Sequence, residues 1–377
     1  MTLFTPEPTV ASRDPHARRR RAGWIALAVA MLLLLAMALW PSNYLVQQPG
    51  PVANTIGTTT VDKKEVPVIE INGAETFDTE GALDLLTVQI LGDRERPANW
   101  LSVAAAWFDP SRTVVPIDSV YAPGMTSGQR EEQNKQLMVS SQQDAVAAAL
   151  LHLGYSVPAK LRITTIQEGS PADGPLVIGD EVIAINGEAM SDLEAVRAAV
   201  KNNAGTEPLS IDVIRDGEPL TVSATPVKVS EPGGATRYML GIGTGEVFEF
   251  PFDVKIHLED IGGPSAGMMF ALGIIDKLTP GNLNGGKNIA GTGTITSAGT
   301  VGAIGGVRQK LFAAKDAGAE YFLAPESNCD EVIGHIPGDL QVFAVKTLDD
   351  SLAVLQAVRD GGDMTGLPTC SADASGK

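Results

Sequence analysis

The sequence predicts a multidomain α+β protein behind one N-terminal membrane-spanning helix, and three observations carry that prediction. The chain has 377 residues, 44% hydrophobic and 19% charged, enough for two or three globular domains and too apolar for disorder throughout. Residues 22–40 form an uncharged, almost wholly apolar run directly after four arginines. Beyond it, short strand-like runs punctuated by Gly and Pro alternate with helix patterns. The charge balance excludes one class of function at once. Lys plus Arg number 28 against 45 Asp plus Glu, a net of −17, whereas binding nucleic acid calls for a basic surface.

Residues 1–21 form a basic tail, with Arg13 and Arg18 to Arg21 set against Glu7 and Asp14. The 19 residues from Ala22 to Trp40 follow, close to the ~20 helical residues that cross a bilayer core. Arg18 to Arg21 on one flank, with no such cluster on the other, predict a cytoplasmic N-terminus and a single-pass protein of the cell membrane whose bulk lies outside. Trp24 and Trp40 bracket the run as an interfacial belt would. A cleaved signal peptide is the competing reading, with Ala36-x-Ala38 as the site, but the apolar core exceeds the roughly 7 to 15 residues of an h-region.

Two cysteines, Cys329 and Cys370, are too few for a disulfide scaffold or a zinc site. Outside the membrane they could pair, and the sequence leaves that open. The four histidines, His16, His152, His257 and His335, are scattered without metal-ligand spacing, so neither metal nor cofactor is expected.

Residues 41–158 read as a small α/β region with a connecting helix. Val66–Ile71 and Leu86–Ile90 are its strand-like runs, and Ser127 to His152, ending at Gly154, is the helix. Residues 159–230 alternate more clearly. Leu161, Ile163 and Ile166 lead into the turn Glu168-Gly-Ser-Pro171, then Ile178-Gly-Asp-Glu-Val-Ile-Ala-Ile185, the tight turn Asn186-Gly187, and a helix from about Asp192 to Asn202 with Leu193, Val196 and Val200 on one stripe. This order resembles the PDZ domains of bacterial proteases. The resemblance implies an extended peptide as ligand, added to a sheet edge. The family's carboxylate-binding loop has no counterpart before Leu161, and Leu153-Gly-Tyr-Ser156 is the nearest string.

Residues 231–362 hold the chemistry. In Gly262-Gly-Pro-Ser-Ala-Gly-Met-Met-Phe-Ala-Leu-Gly-Ile-Ile275, Pro264 suits a first helical position and no charge occurs before Asp276, which predicts a buried helix with Ser265 in its first turn. Unpaired N–H groups there suit an oxyanion beside a nucleophile. A second helix pattern follows Gly305-Gly306, with Val307, Lys310, Leu311 and Ala314 on one face. Lys310 thus lies on an apolar stripe, between Ala314 and Ala317, while Arg308 and Lys315 point to the polar side. Burial favours the neutral amine and makes it a base near neutral pH; the alternative is an amine that snorkels past the alanines to water.

Pairing G-P-S-A-G with a later G-G-x-x-x-K resembles the proteolytic domain of Lon-type serine proteases, over roughly residues 235 to 360. The resemblance implies a Ser-Lys dyad, with Ser265 as nucleophile and Lys310 as general base. It implies a supporting role for Thr292 beside the lysine and for Gly263 and Ala266 around the serine. Where many Lon enzymes have Asp before G-P-S, this chain has Gly262, with Asp260 two places earlier. His257 is expected to be a strand residue beside the site and not a base. Gly281-Asn-Leu-Asn-Gly-Gly-Lys-Asn288 approaches a nucleotide-binding loop but lacks the final Ser or Thr and a preceding strand.

The whole arrangement is similar to the membrane-anchored, PDZ-containing Lon-like proteases of bacteria, whose N-terminal region begins with a motif resembling Asn43-Tyr-Leu-Val-Gln-Gln-Pro-Gly50. It implies an ATP-independent serine endopeptidase acting on unfolded or flexible extracytoplasmic proteins, with the PDZ domain recruiting them or gating the site. The rival expectation is a membrane-tethered peptide-binding adaptor with an inactive protease-like domain. Self-association into a homo-oligomer is left open, and residues 363–377 are expected to be a flexible tail.

Overall fold

The computed structural model describes residues 15–190, 193–230, 236–258, 261–362 and 364–370. Helix α1 (Pro15–Leu39) contains the stretch Arg19–Leu39, long and apolar enough to cross a membrane. After it come strands β1 (Tyr44–Asn54) and β2 (Ala82–Leu91), the short helix α2 (Trp100–Ala106), strand β3 (Thr113–Pro116) and the long helix α3 (Ser127–His152). A capping box between Thr126 and Gln129 starts α3. Its first half is polar and largely exposed, and its second half buries Met138, Ser141 and the run Ala145–Leu150.

The PDZ unit contributes β4 (Ala159–Ile166), β5 (Glu181–Ile185), helix α4 (Leu193–Asn203), β6 (Leu209–Arg215), β7 (Glu218–Ala224) and β8 (Ile242–Phe248). Its sheet runs β7-β6-β5-β4-β8, so β8 is an edge strand. The expected boundary at residue 230 is therefore corrected. Strand β8 pairs with β4 along its whole length, from Ile242 opposite Ile166 to Phe248 opposite Ala159. The expected start of the α4 helix at Asp192 lies outside the described residues.

Helix α5 (Gly267–Leu278), strand β9 (Asn288–Gly291), helix α6 (Val307–Asp316), strands β10 (Tyr321–Pro325) and β11 (Gln341–Val345) and helix α7 (Leu348–Asp360) complete the chain. The second sheet runs β11-β10-β9-β2-β1-β3. From β11 to β2 the neighbours are parallel, and β2-β1-β3 are antiparallel. Residues 41–158 therefore do not form a region of their own. Their strands are half of the sheet whose other half lies beyond the PDZ unit, because β2 pairs through Ala82–Leu85 with Asn288–Gly291.

The period of two along each strand divides side chains between two apolar layers. Leu83, Leu85, Leu323, Phe343 and Val345 face α3, α5 and α7, while Leu86, Ala290, Phe322, Ala324 and Val342 face α6. Helices lie on both faces of a mostly parallel sheet, the arrangement that places sites past the carboxyl ends of strands. The tail is corrected in part: residues 364–370 are held in place. Ala344 N–H donates to Pro368 O, Thr369 bridges Phe343, and Cys370 is disulfide-bonded to Cys329. Residue 363 and residues 371–377 lie outside the described residues.

Candidate active site

Helix α5 is buried from Gly267 to Asp276, as a helix apolar all round must be. It starts later than its sequence predicts. Ala266 is the N-cap, so Ser265 precedes the helix. The reason is tertiary. The Ser265 carbonyl accepts from Gly293 N–H at 2.9 Å and from the Thr292 hydroxyl at 3.0 Å, so it is aimed at the segment after β9. The Pro264 carbonyl accepts from the Ser141 hydroxyl of α3 at 2.9 Å. Two elements thus hold the Pro264–Ser265 turn from outside.

Lys310 approaches from the opposite face of the sheet, on α6. Helices on opposite faces can meet only where the sheet between them stops, and β9 stops at Gly291, one residue before Thr292. There Lys310 Nζ lies 2.8 Å from Ser265 Oγ and 2.8 Å from Thr292 Oγ1. Lys310 is 2% exposed, so the amine does not snorkel to water. Burial alone brings its pKa down to about 7, since desolvation penalises the ammonium and no carboxylate offsets it.

Thr292, fully buried, sets the orientation. Its one hydroxyl proton goes to the Ser265 carbonyl, so its lone pairs face Lys310. A neutral amine that donates to Thr292 Oγ1 keeps its single lone pair for the proton on Ser265 Oγ.

Around the dyad is a cleft of about 510 Å³ bordered by Leu85–Ile90 of β2, Gln47 and Pro51 of β1, Arg130, Asn134 and Met138 of α3, and the 261–266 turn. Among the described residues no strand pairs with Leu86–Ile90 on the side where β9 has ended. The cleft therefore presents an open strand edge beside the Ser265 hydroxyl.

Of the two flanking amides, Ala266 N–H, like that of Ser265, has no acceptor among the described residues. Gly263 N–H donates to Asn134 O at 2.9 Å, so it anchors the turn to α3 and is not free for an oxyanion. Its φ of +91° is one that side chains resist. Asp260 lies outside the described residues. His257, in the loop after the strand Asp253–Ile256, hydrogen-bonds Glu70 at 2.7 Å, away from the dyad. In the stretch 281–288, Asn284 folds back on Gly286 N–H and Lys287 O, so the loop's own side chain occupies it.

Two positioning residues have no signal in the sequence. Asn328 clamps Ile304 through both its N–H and its carbonyl, each at 2.9 Å, fixing the entry to α6. Gln309, buried next to Lys310, donates to Thr113 Oγ1 of β3 at 2.7 Å. Both partners are far away in sequence, and only the fold brings them together.

A second groove, of about 690 Å³, lies in the PDZ unit between α4 and the segment Thr236–Thr244. Val196 and Val200 form part of one wall and the edge of β8 forms the other. Met239-Leu240-Gly241-Ile242-Gly243 enters this edge, whereas Leu153-Gly-Tyr-Ser156 closes α3. The glycine-flanked segment beside this groove leads into β8, the last strand of the unit, and does not precede its first strand.

Comparison with known proteins finds two domain families in the chain. Residues 245–357 match the Lon protease (S16) C-terminal proteolytic domain and residues 162–215 match a PDZ domain. Lon protease 2 of Herpetosiphon aurantiacus is 32% identical over 170 residues, 43% of this chain and 20% of that protein. Lon protease of Clostridioides difficile is 37% identical over 118 residues, 29% of this chain and 14% of that protein. For Lon protease of Campylobacter concisus the values are 38% over 109 residues, 27% and 13%. The chain thus spans a fifth or less of the length of these relatives. It carries a serine protease domain of the Lon type together with a PDZ domain.

Proposed function

We propose that the protein is an ATP-independent serine endopeptidase, anchored by α1 with its N-terminus in the cytoplasm, that cuts unfolded or flexible segments outside the membrane. The observation that carries this reading is the buried amine of Lys310 at 2.8 Å from Ser265 Oγ, with its pKa brought near 7. Ser265 Oγ forms a bond to the peptide carbonyl carbon as its proton passes to Lys310 Nζ. The C–N bond then breaks and the same proton leaves with the amine. Water, deprotonated by Lys310, hydrolyses the acyl-enzyme.

Strand addition at Leu86–Ile90 favours extended substrates, and the groove between α4 and β8 suits a peptide recruited by the same physics. The Cys329–Cys370 disulfide agrees with an oxidising compartment.

The test is cleavage of an unfolded protein by the full chain in detergent without nucleotide, beside Ser265→Ala and Lys310→Ala. Cleavage by the unsubstituted chain alone is expected. Equal cleavage by all three overturns the dyad, and strict dependence on ATP overturns the nucleotide-free reading.

A further inference from the structure

Helix α2 has two unlike sides. Val103 and Ala106 are buried against Val46 and Ala98. The consecutive Trp107 and Phe108 at its C-terminal end are 68% and 89% exposed, an unusual cost for two large apolar side chains in water. Leu101, also exposed, borders a groove with Leu34, Leu35 and Ala38 of α1.

The start of α2 is fixed to the end of α1. Trp100 N–H donates to Trp40 O at 3.2 Å, Ser42 N–H and its hydroxyl both donate to Ala98 O, at 2.9 and 2.7 Å, and the Trp100 ring packs edge-on against Tyr44. At 1.5 Å per residue, α2 is only about 10 Å long. Its far end therefore stays within about that distance of the level at which the apolar span of α1 ends.

We infer that α2 is a membrane-interface anchor: Leu101, Trp107 and Phe108 enter the headgroup and upper acyl region of the bilayer and hold the catalytic domain against it. The inference rests on the reading that α1 crosses a bilayer. Trp and Phe are the side chains that favour this depth. The residues after position 22 carry a net charge of −20, so attraction to anionic lipid does not supply the contact, and a zwitterionic surface suffices.

The test uses the full chain in phosphatidylcholine nanodiscs in two single-tryptophan forms, one keeping Trp107 and one keeping Trp24, the other tryptophans replaced by Phe. Emission is read against phosphatidylcholine brominated in its acyl chains and against aqueous acrylamide. Loss of Trp107 emission to brominated lipid with protection from acrylamide is expected, and Phe108→Asp should reverse both. Trp107 quenched by acrylamide and not by lipid, while Trp24 is quenched by lipid, overturns the inference and leaves the anchor standing. Shielding of Trp107 from both quenchers means a second protein copy covers it, which also overturns the inference. If Trp24 escapes the lipid quencher, the span itself fails and the inference falls with it.

Discussion

Lys310 occupies a position where charge is disfavoured, and its substitution separates chemistry from stability. Lys310→Met keeps the length and removes the proposed base. Peptide cleavage is expected to fall by about 10³-fold or more, while the midpoint of thermal unfolding does not fall, because a buried amine gives way to an apolar chain. The pH dependence has a defined sign. With the folded pKa near 7, kcat/KM should fall about tenfold per pH unit below that value.

Stability moves differently. Between pH 7 and the unfolded lysine range near 10.4, the unfolded chain binds a proton that the folded chain lacks, so the Lys310 contribution rises with pH there and is flat below 7. Denaturant midpoints measured across that window, with Lys310→Met as the reference, check this. Thr292→Val should lower kcat by roughly 10- to 100-fold and displace the acid limb of the pH profile, since two hydrogen bonds are lost, and Thr292→Ser should restore both. Lys310 was legible in the sequence because helical periodicity puts it on an apolar stripe. The place of Ser265 before its helix was not, since bonds from residues 292 and 293 decide it.

Each helix of the protease domain follows from its own pattern, but strand partners do not. The strand-like run at Leu86–Ile90 was visible, whereas the pairing of the residues just before it, Ala82–Leu85, with a strand about 200 residues later depends on parallel register, which no local signal encodes. The disulfide is similar: two cysteines could pair, and only the fold brings the last described residue to Cys329. Replacing Cys370 with Ser frees residues 364–370 and opens a loop with a sequence separation of 41, worth up to about 4 kcal/mol in the chain-entropy model. The melting temperature should fall by on the order of 10 °C. A reducing agent should lower the parent to the same value and leave the variant unchanged, as calorimetry would show.

The PDZ unit is inserted within the catalytic fold, and the chain enters and leaves it at adjacent points. Ala159 faces Phe248 across an antiparallel pair, and Glu249 N–H donates to Pro158 O at 2.9 Å. Replacing residues 160–247 by a short Gly-Ser link should leave the catalytic fold intact. Cleavage of a small flexible peptide is expected to continue, while KM for an unfolded protein rises. Loss of the peptide activity as well would mean that β8, whose Glu246 accepts from the Ser297 hydroxyl at 3.2 Å, is part of the catalytic scaffold.

Gln47, on the wall of the cleft, lies seven residues after Trp40. Even fully stretched, that stalk spans no more than about 25 Å. A polypeptide rooted in the same bilayer would need only about eight extended residues of its own to bring a peptide bond to that height. Under the proposed anchoring by α1, short stubs on neighbouring membrane proteins would come within range, and cleavage would trim them to a length fixed by that tether.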